Sequence, residues 1–288
     1  MVGSSAALLS ALRPRQWTKN LILFAGLIFA KRYHDGHSWA AAVAIFGAYC
    51  AASSAAYLVN DVRDAEHDRK HPTKRFRPIA RGDLAPRTAL GAAAALLVAG
   101  LGVAAVLNPI SVAYLAGFAG VQTLYSLLLK RIVLIDVLTI AGLFVLRAAA
   151  GAAAVEVHIS VWLLVCTALL AFFLGLAKRR AELVLMSTDQ TPGRPVLQRY
   201  SIAMLDRLVV ATALAVVAVY AAYAYTVKSS HVMLVTVPFV FAGVTRYLHL
   251  IRRRDLGEEP EQLLVTDPVI LGSVACWAIA AVIALAAS

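Results

Sequence analysis

The stretch YLVNDVRDAEHDRKHPTKRFRPIARG, residues 57–82, places three carboxylates and then a dense run of Lys and Arg within an otherwise apolar chain. Asp61, Asp64 and Asp68 are spaced at i, i+3 and i+7. On a helix this spacing puts all three on one face, within an arc of roughly 60°. Because like charges that close repel one another, we expect a cation to lie between them.

The acidic face is also predicted to lie at the end of its helix. Pro72 cannot continue a helix, so the helix should stop near His71 and leave the aspartates in its last turns. The helix dipole disfavours anions there, and a divalent cation would offset both effects. Carboxylates together with the amide oxygen of Asn60 suit Mg²⁺, which often shares its coordination shell with substrate phosphates. The alternative is that the aspartates only form ion pairs with their basic neighbours Arg63, Arg69 and Lys74.

Two histidines in the same stretch raise the question of a zinc site. His67 and His71 are spaced i, i+4, as zinc-binding histidines on a helix are. No cysteine lies near them in the sequence, and aspartate oxygens outnumber them. We therefore expect these histidines to be solvated or to cap a turn.

The composition identifies a polytopic membrane protein. Of the 288 residues, 61% are hydrophobic and only 15% are charged, with a mean hydropathy of +0.76, whereas a soluble domain is roughly half apolar. The three cysteines, Cys50, Cys166 and Cys276, each lie in an apolar run and predict no disulfide framework. Nine apolar segments approach the ~20 residues that a bilayer requires, and they run 17–33, 38–60, 88–107, 109–129, 133–154, 160–185, 200–226, 231–251 and 266–286.

The charge pattern predicts the orientation of these spans. The net charge of +11 fits the excess of Lys and Arg in cytoplasmic loops better than it fits nucleic-acid binding. All but four of the 27 Lys and Arg residues fall on one side of a nine-span topology. The exceptions are Lys31, Arg32, Lys228 and Arg147, the last of which lies within a span. We predict an all-α membrane protein with one domain, residues 1–288, nine transmembrane helices, a cytoplasmic N-terminus and an external C-terminus.

Basic residues next to the acidic face predict an anionic ligand. Lys74, Arg75 and Arg77 follow the aspartates by only a few residues. A metal ion combined with Arg and Lys is the usual clamp for a phosphate or diphosphate group. The same loop also suits anionic lipid headgroups, and a solvated cytoplasmic loop accounts for part of its charge.

A second basic cluster lies at the cytoplasmic end of the sixth segment, in GLAKRRAELVLMSTD, residues 175–189. Lys178 and Glu182 are spaced i, i+4, which fits a helix ion pair and fits a phosphate contact equally well. Asp136 and Arg147 lie inside apolar spans. Ionisable residues there are functional candidates, although a mutual ion pair would also explain them.

Four blocks of this chain resemble one known family. They are LRPRQWTKN at 12–20, the 57–82 stretch, LAKRRAEL at 176–183 and EPEQLLVTD at 259–267. The sequence NDVRDAEHD, within the second block, resembles the first Asp-rich motif of the UbiA-type intramembrane prenyltransferases. Within that superfamily the resemblance is greater to the decaprenyl-phosphate phosphoribosyltransferases, and it covers nearly the whole chain in segment order.

The resemblance implies a nine-helix bundle around a central cavity that opens to the cytoplasm and, laterally, to lipid. It implies transfer of 5-phosphoribosyl from phosphoribosyl pyrophosphate (PRPP) to a polyprenyl phosphate such as decaprenyl phosphate, with release of pyrophosphate, at the plasma membrane. The product would feed cell-wall arabinan synthesis. The implied cofactor is Mg²⁺. The implied partners are PRPP, the lipid phosphate, the bilayer and further copies of the chain, with a trimer as the assembly considered, and nucleic acid is not among them.

The resemblance also assigns the site residues. Asn60, Asp61, Asp64 and Asp68 carry over as metal ligands, and the three aspartates also as catalytic residues. Asn60 is also assigned to substrate binding. The remaining substrate-binding residues are Lys19, Lys74, Arg75, Arg77, Lys178, Arg179 and Glu182.

One departure from the family pattern bears on the acceptor. Relatives with aromatic acceptors usually carry a second Asp-rich motif after the sixth span, where this chain has Lys178, Arg179, Arg180 and Glu182. This argues against a second metal site built only from aspartates. It also favours two anionic substrates, because a neutral phenol needs no extra cations. An aromatic-acceptor prenyltransferase of quinone synthesis, using a prenyl diphosphate, is the alternative enzyme, and a transporter or lipid-binding protein is the third class.

Overall fold

In the computed structural model, residues 4–71, 73–158, 160–189, 195–226, 231–254, 263 and 266–286 are described. Pro72, Arg194, Lys228, most of the 259–267 block and Ser288 lie outside these ranges. Within them every regular element is an α-helix or a 3₁₀-helix, which confirms the all-α prediction. The α-helices are α1 Ser4–Ala11, α2 Ala25–Phe29, α3 Gly36–Arg69, α4 Pro78–Arg81, α5 Pro86–Leu107, α6 Pro109–Leu127, α7 Ile135–Ala154, α8 Val161–Asp189, α9 Ile202–Thr226, α10 Val237–Arg254 and α11 Pro268–Ala286. The 3₁₀-helices are Pro14–Phe24, Arg32–His34, Lys74–Phe76, Leu129–Arg131, Pro195–Arg199 and Val232–Thr236.

Seven helices in the described part of the chain are long and apolar enough to cross a bilayer. Each matches one predicted segment to within a few residues at most boundaries, although the first extends well beyond its segment into the acidic stretch. They run Gly36–Arg69, Pro86–Leu107, Pro109–Arg131, Ile135–Ala154, Val161–Ser187, Ile202–Thr226 and Val232–Arg252. The chain is therefore a multi-pass membrane protein.

The first and last predicted segments differ from these seven. The first is an eleven-residue 3₁₀-helix, Pro14–Phe24, followed by the five-residue α2. A 3₁₀-helix rises about 2.0 Å per residue, so the two pieces would extend roughly 30 Å along a straight axis, close to the thickness of a bilayer core. The last segment contains the apolar helix Pro268–Ala284, which is shorter than the seven. The count of nine spans stays a prediction.

The chain divides into two compact units, and the division falls inside α7. The first gathers Met1–Leu128 with Leu146–Ile159, and the second gathers Leu129–Val145 with Ser160–Ser288. In the first unit α3 packs along α5 and also contacts α6, α4 and the 3₁₀-helix Pro14–Phe24. Its core near the acidic stretch includes Leu58, Ile79 and Leu84, all at most 2% exposed. The single domain over residues 1–288 stays a prediction.

Small residues allow the C-terminal end of α7 to touch the first segment backbone to backbone, inside the first unit. A Cβ added at Gly151 would lie 2.0 Å from the carbonyl oxygen of Leu23, and one added at Gly26 would lie 2.7 Å from the Cα of Ala152. Neither position has room for a side chain. The AAAGAAA run of α7 is therefore used for close helix packing, as small residues in membrane helices commonly are.

The second unit has its own core between α8, α9 and α10. Phe173 and Leu176 of α8 pack with Val209 of α9 and with Tyr247 and Ile251 of α10, all nearly or fully buried. The ring centroids of Phe173 and Tyr247 are 5.5 Å apart in an edge-to-face arrangement. This packing fixes the half of α8 that carries the second basic cluster.

Candidate active site

The last turns of α3 position the acidic face. The helix ends at Arg69, close to the predicted end, so the aspartates keep their helical spacing. Asp61 and Asp68 are buried, whereas Asn60 and Asp64 are half-buried. The predicted acidic face therefore exists, and most of its charge is withdrawn from solvent.

Two arginines neutralise the buried carboxylates. The Nη2 atom of Arg13 lies 2.6 and 2.7 Å from the two oxygens of Asp61. Nη1 of Arg77 donates to Asp68 at 2.6 Å and to Asp61 at 3.2 Å. Both aspartate side chains are nearly inaccessible, while the two arginine side chains are 27% and 26% exposed. A cation does lie between Asp61 and Asp68, and in this structure it is the guanidinium of Arg77, while Arg13 bonds Asp61.

Arg63 and Arg69, which neighbour the aspartates in sequence, bond backbone carbonyl oxygens instead of the aspartates. Arg63 donates to the carbonyl oxygen of Ser126 at 2.9 Å, and Arg69 donates to that of Ala80 at 3.1 Å. Pairing of the aspartates with these two residues is therefore wrong. Both arginines lie on exposed positions of α3 and reach backbone acceptors on other segments. The family resemblance assigns Arg77 to substrate binding and gives no role to Arg13, although Arg13 lies in the LRPRQWTKN block.

Serine and tryptophan side chains hold Arg13 over α3. The hydroxyl of Ser54 accepts from Nε1 of Trp17 at 3.0 Å and donates to the carbonyl oxygen of Leu12 at 2.9 Å. These two bonds tie the chain on both sides of Arg13 to one buried serine. The Arg13 guanidinium also lies 4.9 Å from the ring centroid of Tyr57. Ser54, Tyr57 and Asp61 are spaced i, i+3 and i+7, so one face of α3 supplies all three contacts.

A cavity of about 290 Å³ opens at this ion-pair cluster. Its walls come from the N-terminal segment, from α3 and from the loop after α3. The lining residues are Ser10, Ala11, Arg13, Asp61, Thr73, Phe76, Arg77 and Pro78. Two guanidinium groups and one carboxylate face this space, which is suited to an anion accompanied by a cation.

Three further predicted phosphate contacts lie in the first unit. Lys19 is half-buried in the 3₁₀-helix Pro14–Phe24, and Lys74 is half-buried at the start of the short 3₁₀-helix after α3. Arg75 is exposed, with its guanidinium carbon 4.9 Å from the ring centroid of Phe76. Of the predicted substrate-binding cations, the structure brings Arg77 directly to the aspartates. The roles of the other three stay predictions.

His71 caps the turn that follows α3. Its Nδ1 accepts from the backbone N–H groups of Thr73 at 3.3 Å and Lys74 at 3.4 Å. Partial burial, followed by the nearby Lys74 charge, lowers the pKa of His71 below its ordinary value. No three His, Cys, Asp or Glu side chains of the described residues are grouped to hold a metal ion. The expectation of a capping histidine is confirmed for His71.

The second basic cluster is engaged in ion pairs inside the second unit. Arg179, only 1% exposed, donates from Nε to Asp136 at 2.6 Å and from Nη1 to Glu182. Tyr200 donates its hydroxyl to Asp136 at 2.8 Å and accepts from the backbone N–H of Leu134 at 2.7 Å. The carboxylate of Glu182 thus bonds Arg179, three residues earlier on the helix. Lys178 is half-buried.

Asp136 and Arg147, the charged residues within spans, do not form the mutual ion pair considered above. Asp136 bonds Arg179 and Tyr200, whereas Arg147 donates from Nε to the Oδ1 of Asn20 at 2.7 Å. Eleven residues of α7, about three turns, separate Asp136 from Arg147, so a direct contact between them is excluded. The possibility of a mutual pair is therefore wrong. Arg147 lies against an aromatic face as well, 4.5 Å from the ring centroid of Phe118.

The chemistry of the donor set on α3 fits a divalent cation that shares its ligands with a substrate. Mg²⁺ is usually held by one or two carboxylates and retains positions for water and substrate phosphates. Asp61 lines the cavity, and Asp64 lies one turn further on the same face. A complete cage of protein carboxylates is not required for such a site.

Comparison with known proteins agrees with the family resemblance inferred from the sequence motifs. Residues 20–266 match the UbiA prenyltransferase family. The decaprenyl-phosphate phosphoribosyltransferase of Mycolicibacterium smegmatis is 33% identical, over 94% of this chain and 90% of the relative. The protein of the same name from Corynebacterium glutamicum is 32% identical, over 96% of this chain and 86% of the relative.

A solved structure shows the same fold. The UbiA homolog from Archaeoglobus fulgidus bound to GPP and Mg²⁺ superposes with a TM-score of 0.74 at 19% identity, covering 97% of this chain and 99% of that chain. At this identity the likeness concerns the fold alone. Together with the family match over most of the sequence, it confirms the resemblance seen in the 57–82 stretch. The chain belongs to the UbiA prenyltransferase family.

Proposed function

We propose that this chain transfers the 5-phosphoribosyl group of PRPP to a polyprenyl phosphate, decaprenyl phosphate being the first acceptor to test. The observation that carries the proposal is the 33% identity, over nearly the whole chain, to a decaprenyl-phosphate phosphoribosyltransferase. The chemistry of the cavity supports it. Both substrates are anions, and a site that holds them together needs more positive charge than a site for a neutral acceptor.

The aspartates of α3 would hold the metal ion. Asp61, Asp64 and Asp68, with Asn60, offer the oxygen donors, and a structural relative is bound to GPP and Mg²⁺. When bound, Mg²⁺ would stabilise the negative charge that develops on the departing pyrophosphate. The protein's own contribution is to orient the diphosphate and to keep the carboxylates buried until they are used.

Basic residues of the same unit would bind the remaining phosphate charge. Arg77 lies at the cavity, with Lys74 and Arg75 immediately before it on the loop and Lys19 on the N-terminal segment. A lipid phosphate oxygen would attack the ribose C1, forming a new C1–O bond as the C1–O bond to pyrophosphate breaks. That oxygen is already anionic near neutral pH, so no general base is needed. The cavity lining accordingly needs no histidine or cysteine.

Lys178 and Arg179, which the resemblance assigns to substrate binding, lie on α8. Lys178 is half-buried and is the better candidate for direct phosphate contact. Arg179 would act mainly through its ion pairs with Asp136 and Glu182, because its guanidinium is already bonded to both carboxylates. A direct phosphate contact from Arg179, as the family resemblance implies, would require its side chain, now 1% exposed, to become accessible.

We also propose a cellular location, a membrane topology and an oligomeric state. The distribution of Lys and Arg favours a plasma-membrane protein with a cytoplasmic N-terminus, a cytoplasmic acidic loop and an external C-terminus. The product would serve cell-wall arabinan synthesis. A homotrimer is the assembly to test first by mass measurement of the detergent-solubilised protein.

A donor and acceptor exchange experiment tests the proposed reaction. Purified full-length protein in nanodiscs with Mg²⁺ is offered either PRPP or geranyl diphosphate, each with decaprenyl phosphate and with an aromatic acid. Mass spectrometry should find decaprenyl phosphate heavier by one phosphoribosyl group. A prenylated aromatic product without phosphoribosyl transfer would establish the aromatic-acceptor alternative instead.

A matched pair of variants ties the activity to the site. Asp61→Asn should remove most of the transfer activity while the protein still inserts into membranes. Asp83→Asn is the control, because Asp83 also pairs with an arginine, Arg81, but lies outside the cavity lining. Equal activity in both variants would argue against a role for the acidic face.

A further inference from the structure

Arg13 adopts a backbone conformation that its neighbours must enforce. Its φ of 55° and ψ of 61° are left-handed, and Pro14 follows directly. Non-glycine residues are uncommon in this region, and a residue before proline normally adopts an extended conformation. Such strain persists only where the surrounding structure determines it, and it clusters at functional sites. Here the two bonds of Ser54 to Trp17 and Leu12 fix the chain on both sides.

The strained backbone aims the side chain at one carboxylate. One nitrogen, Nη2, lies within 2.7 Å of both oxygens of Asp61, which is 3% exposed. The remainder of the guanidinium lies beside the ring of Tyr57 and along the wall of the cavity. Arg13 therefore spans the boundary between a buried anion and a space suited to a second anion.

A metal ion and this guanidinium compete for the same oxygens. An Nη2 group centred on both oxygens of Asp61 leaves no inner-sphere position between those oxygens. If both oxygens of Asp61 are to ligate a divalent cation, Arg13 has to move off at least one of them. The nearest space for its head is the cavity, where the donor's diphosphate would lie. Arg77 would need a smaller movement than Arg13 to release Asp61, because Arg77 lies 3.2 Å from Asp61 and makes its shorter contact, at 2.6 Å, with Asp68.

We propose that Arg13 exchanges between two anions, releasing the Asp61 carboxylate to the divalent cation and contacting the diphosphate of the donor. The identity of that donor as PRPP rests on the proposed function. Exchange of this kind couples the two ligands, since the metal displaces the cation that the diphosphate then uses. By linkage, each ligand strengthens binding of the other. The simpler possibility is a static pair that only neutralises Asp61.

The two possibilities predict different effects of removing the guanidinium. In the exchange mechanism, Arg13→Met frees Asp61, so Mn²⁺ without donor should bind roughly two- to fivefold more tightly, as the loss of a partly exposed ion pair allows. The same variant should bind the diphosphate donor about ten- to a hundredfold more weakly, because a charge-assisted contact is lost. A static pair predicts no change in diphosphate affinity.

The experiment measures both affinities on full-length protein in detergent. Electron paramagnetic resonance follows Mn²⁺ binding without donor, and calorimetry follows binding of PRPP and of geranyl diphosphate in excess Mg²⁺. Arg81→Met is the matched control, since Arg81 pairs with Asp83 on the surface and does not line the cavity. Arg13→Gly is the second variant. Glycine suits the left-handed backbone, so this variant removes the guanidinium without adding strain if Arg13→Met folds poorly.

The outcomes separate this proposal from the proposed function. Opposite shifts of the two affinities in the Arg13 variants, with Arg81→Met unchanged, support the exchange. Unchanged diphosphate affinity in both Arg13 variants overturns it, even if PRPP is the donor. If wild-type protein binds geranyl diphosphate and not PRPP, and Arg13→Met weakens that binding, the exchange holds and the donor assignment is wrong. If wild-type protein binds neither compound, both proposals fail.

Discussion

Asp136→Asn should destabilise the second unit by removing a buried charge. Arg179 and Asp136 are 1% and 0% exposed, and their bonded atoms are 2.6 Å apart. Asparagine keeps the shape of the side chain and can still accept from the Tyr200 hydroxyl, which lies 2.8 Å from the present carboxylate. The substitution therefore leaves the packing intact and removes the negative charge facing Arg179.

The expected cost is about 3 kcal/mol in the free energy of unfolding. Breaking a buried ion pair typically costs 3–5 kcal/mol, because the remaining charge is left buried. The lower end applies here, since the carboxylate of Glu182, 14% exposed, still bonds Arg179. A cost of about 3 kcal/mol changes the unfolding equilibrium roughly a hundredfold. Titration with SDS from mixed micelles, followed by circular dichroism, measures this difference.

Two variants calibrate the result. Glu182→Gln should cost about 1 kcal/mol, because Asp136 remains and Glu182 is closer to solvent. Asp83→Asn is the control. It breaks the Arg81–Asp83 pair, whose arginine and aspartate side chains are 48% and 26% exposed, and should cost less than about 1 kcal/mol. If Asp136→Asn unfolds within about 0.5 kcal/mol of wild type, the pair is not a structural element, and direct phosphate binding by Arg179 becomes the better explanation.

Three further predictions concern packing, pH and topology. Gly151→Ala should cost about 1–3 kcal/mol or more, since its Cβ would meet backbone at 2.0 Å, whereas Gly117→Ala, with open space around it, should be nearly neutral. The hydroxyl of Ser38 and the capping N–H groups hold the pKa of Asp35 below its ordinary 3.8. Its stabilising contribution is therefore complete above that value and is lost as pH falls below it, so acid titration should bring Asp35→Ala and wild type together. In a variant without native cysteines, Arg81→Cys should react with an impermeant thiol reagent only from the cytoplasmic side, and labelling from outside would contradict the topology.

Local sequence patterns predicted those features that depend on the residues of a single helix. The apolar run of α3 and the proline after it gave the acidic face and its end near Arg69. The 3₁₀ course of Pro14–Phe24 was not predictable, because it depends on contacts made far along the chain. The carbonyl of Leu23 lies directly against the backbone at Gly151, and an apolar periodicity carries no signal for such an approach.

The acidic face of α3 was predicted from the sequence, whereas one of the cations bonded to it was missed. Three carboxylates on one helical face are visible from spacing alone. Their partner Arg13 is separated from Asp61 by 48 residues, and only the fold brings the two together. The same reason explains Asp136, which bonds Arg179 at a separation of 43 residues. Charge counts indicate that partners exist, and the packing of helices decides which ones meet.

The dependence of the initial transfer rate on free Mg²⁺ tests the central claim most directly. The claim is that the acidic face of α3 works with a divalent cation to release pyrophosphate from PRPP. Transfer of phosphoribosyl to decaprenyl phosphate should cease in excess EDTA and return as Mg²⁺ is restored, while Asp61→Asn should stay largely inactive across the same range. Full turnover of the wild-type protein in excess EDTA would contradict the account.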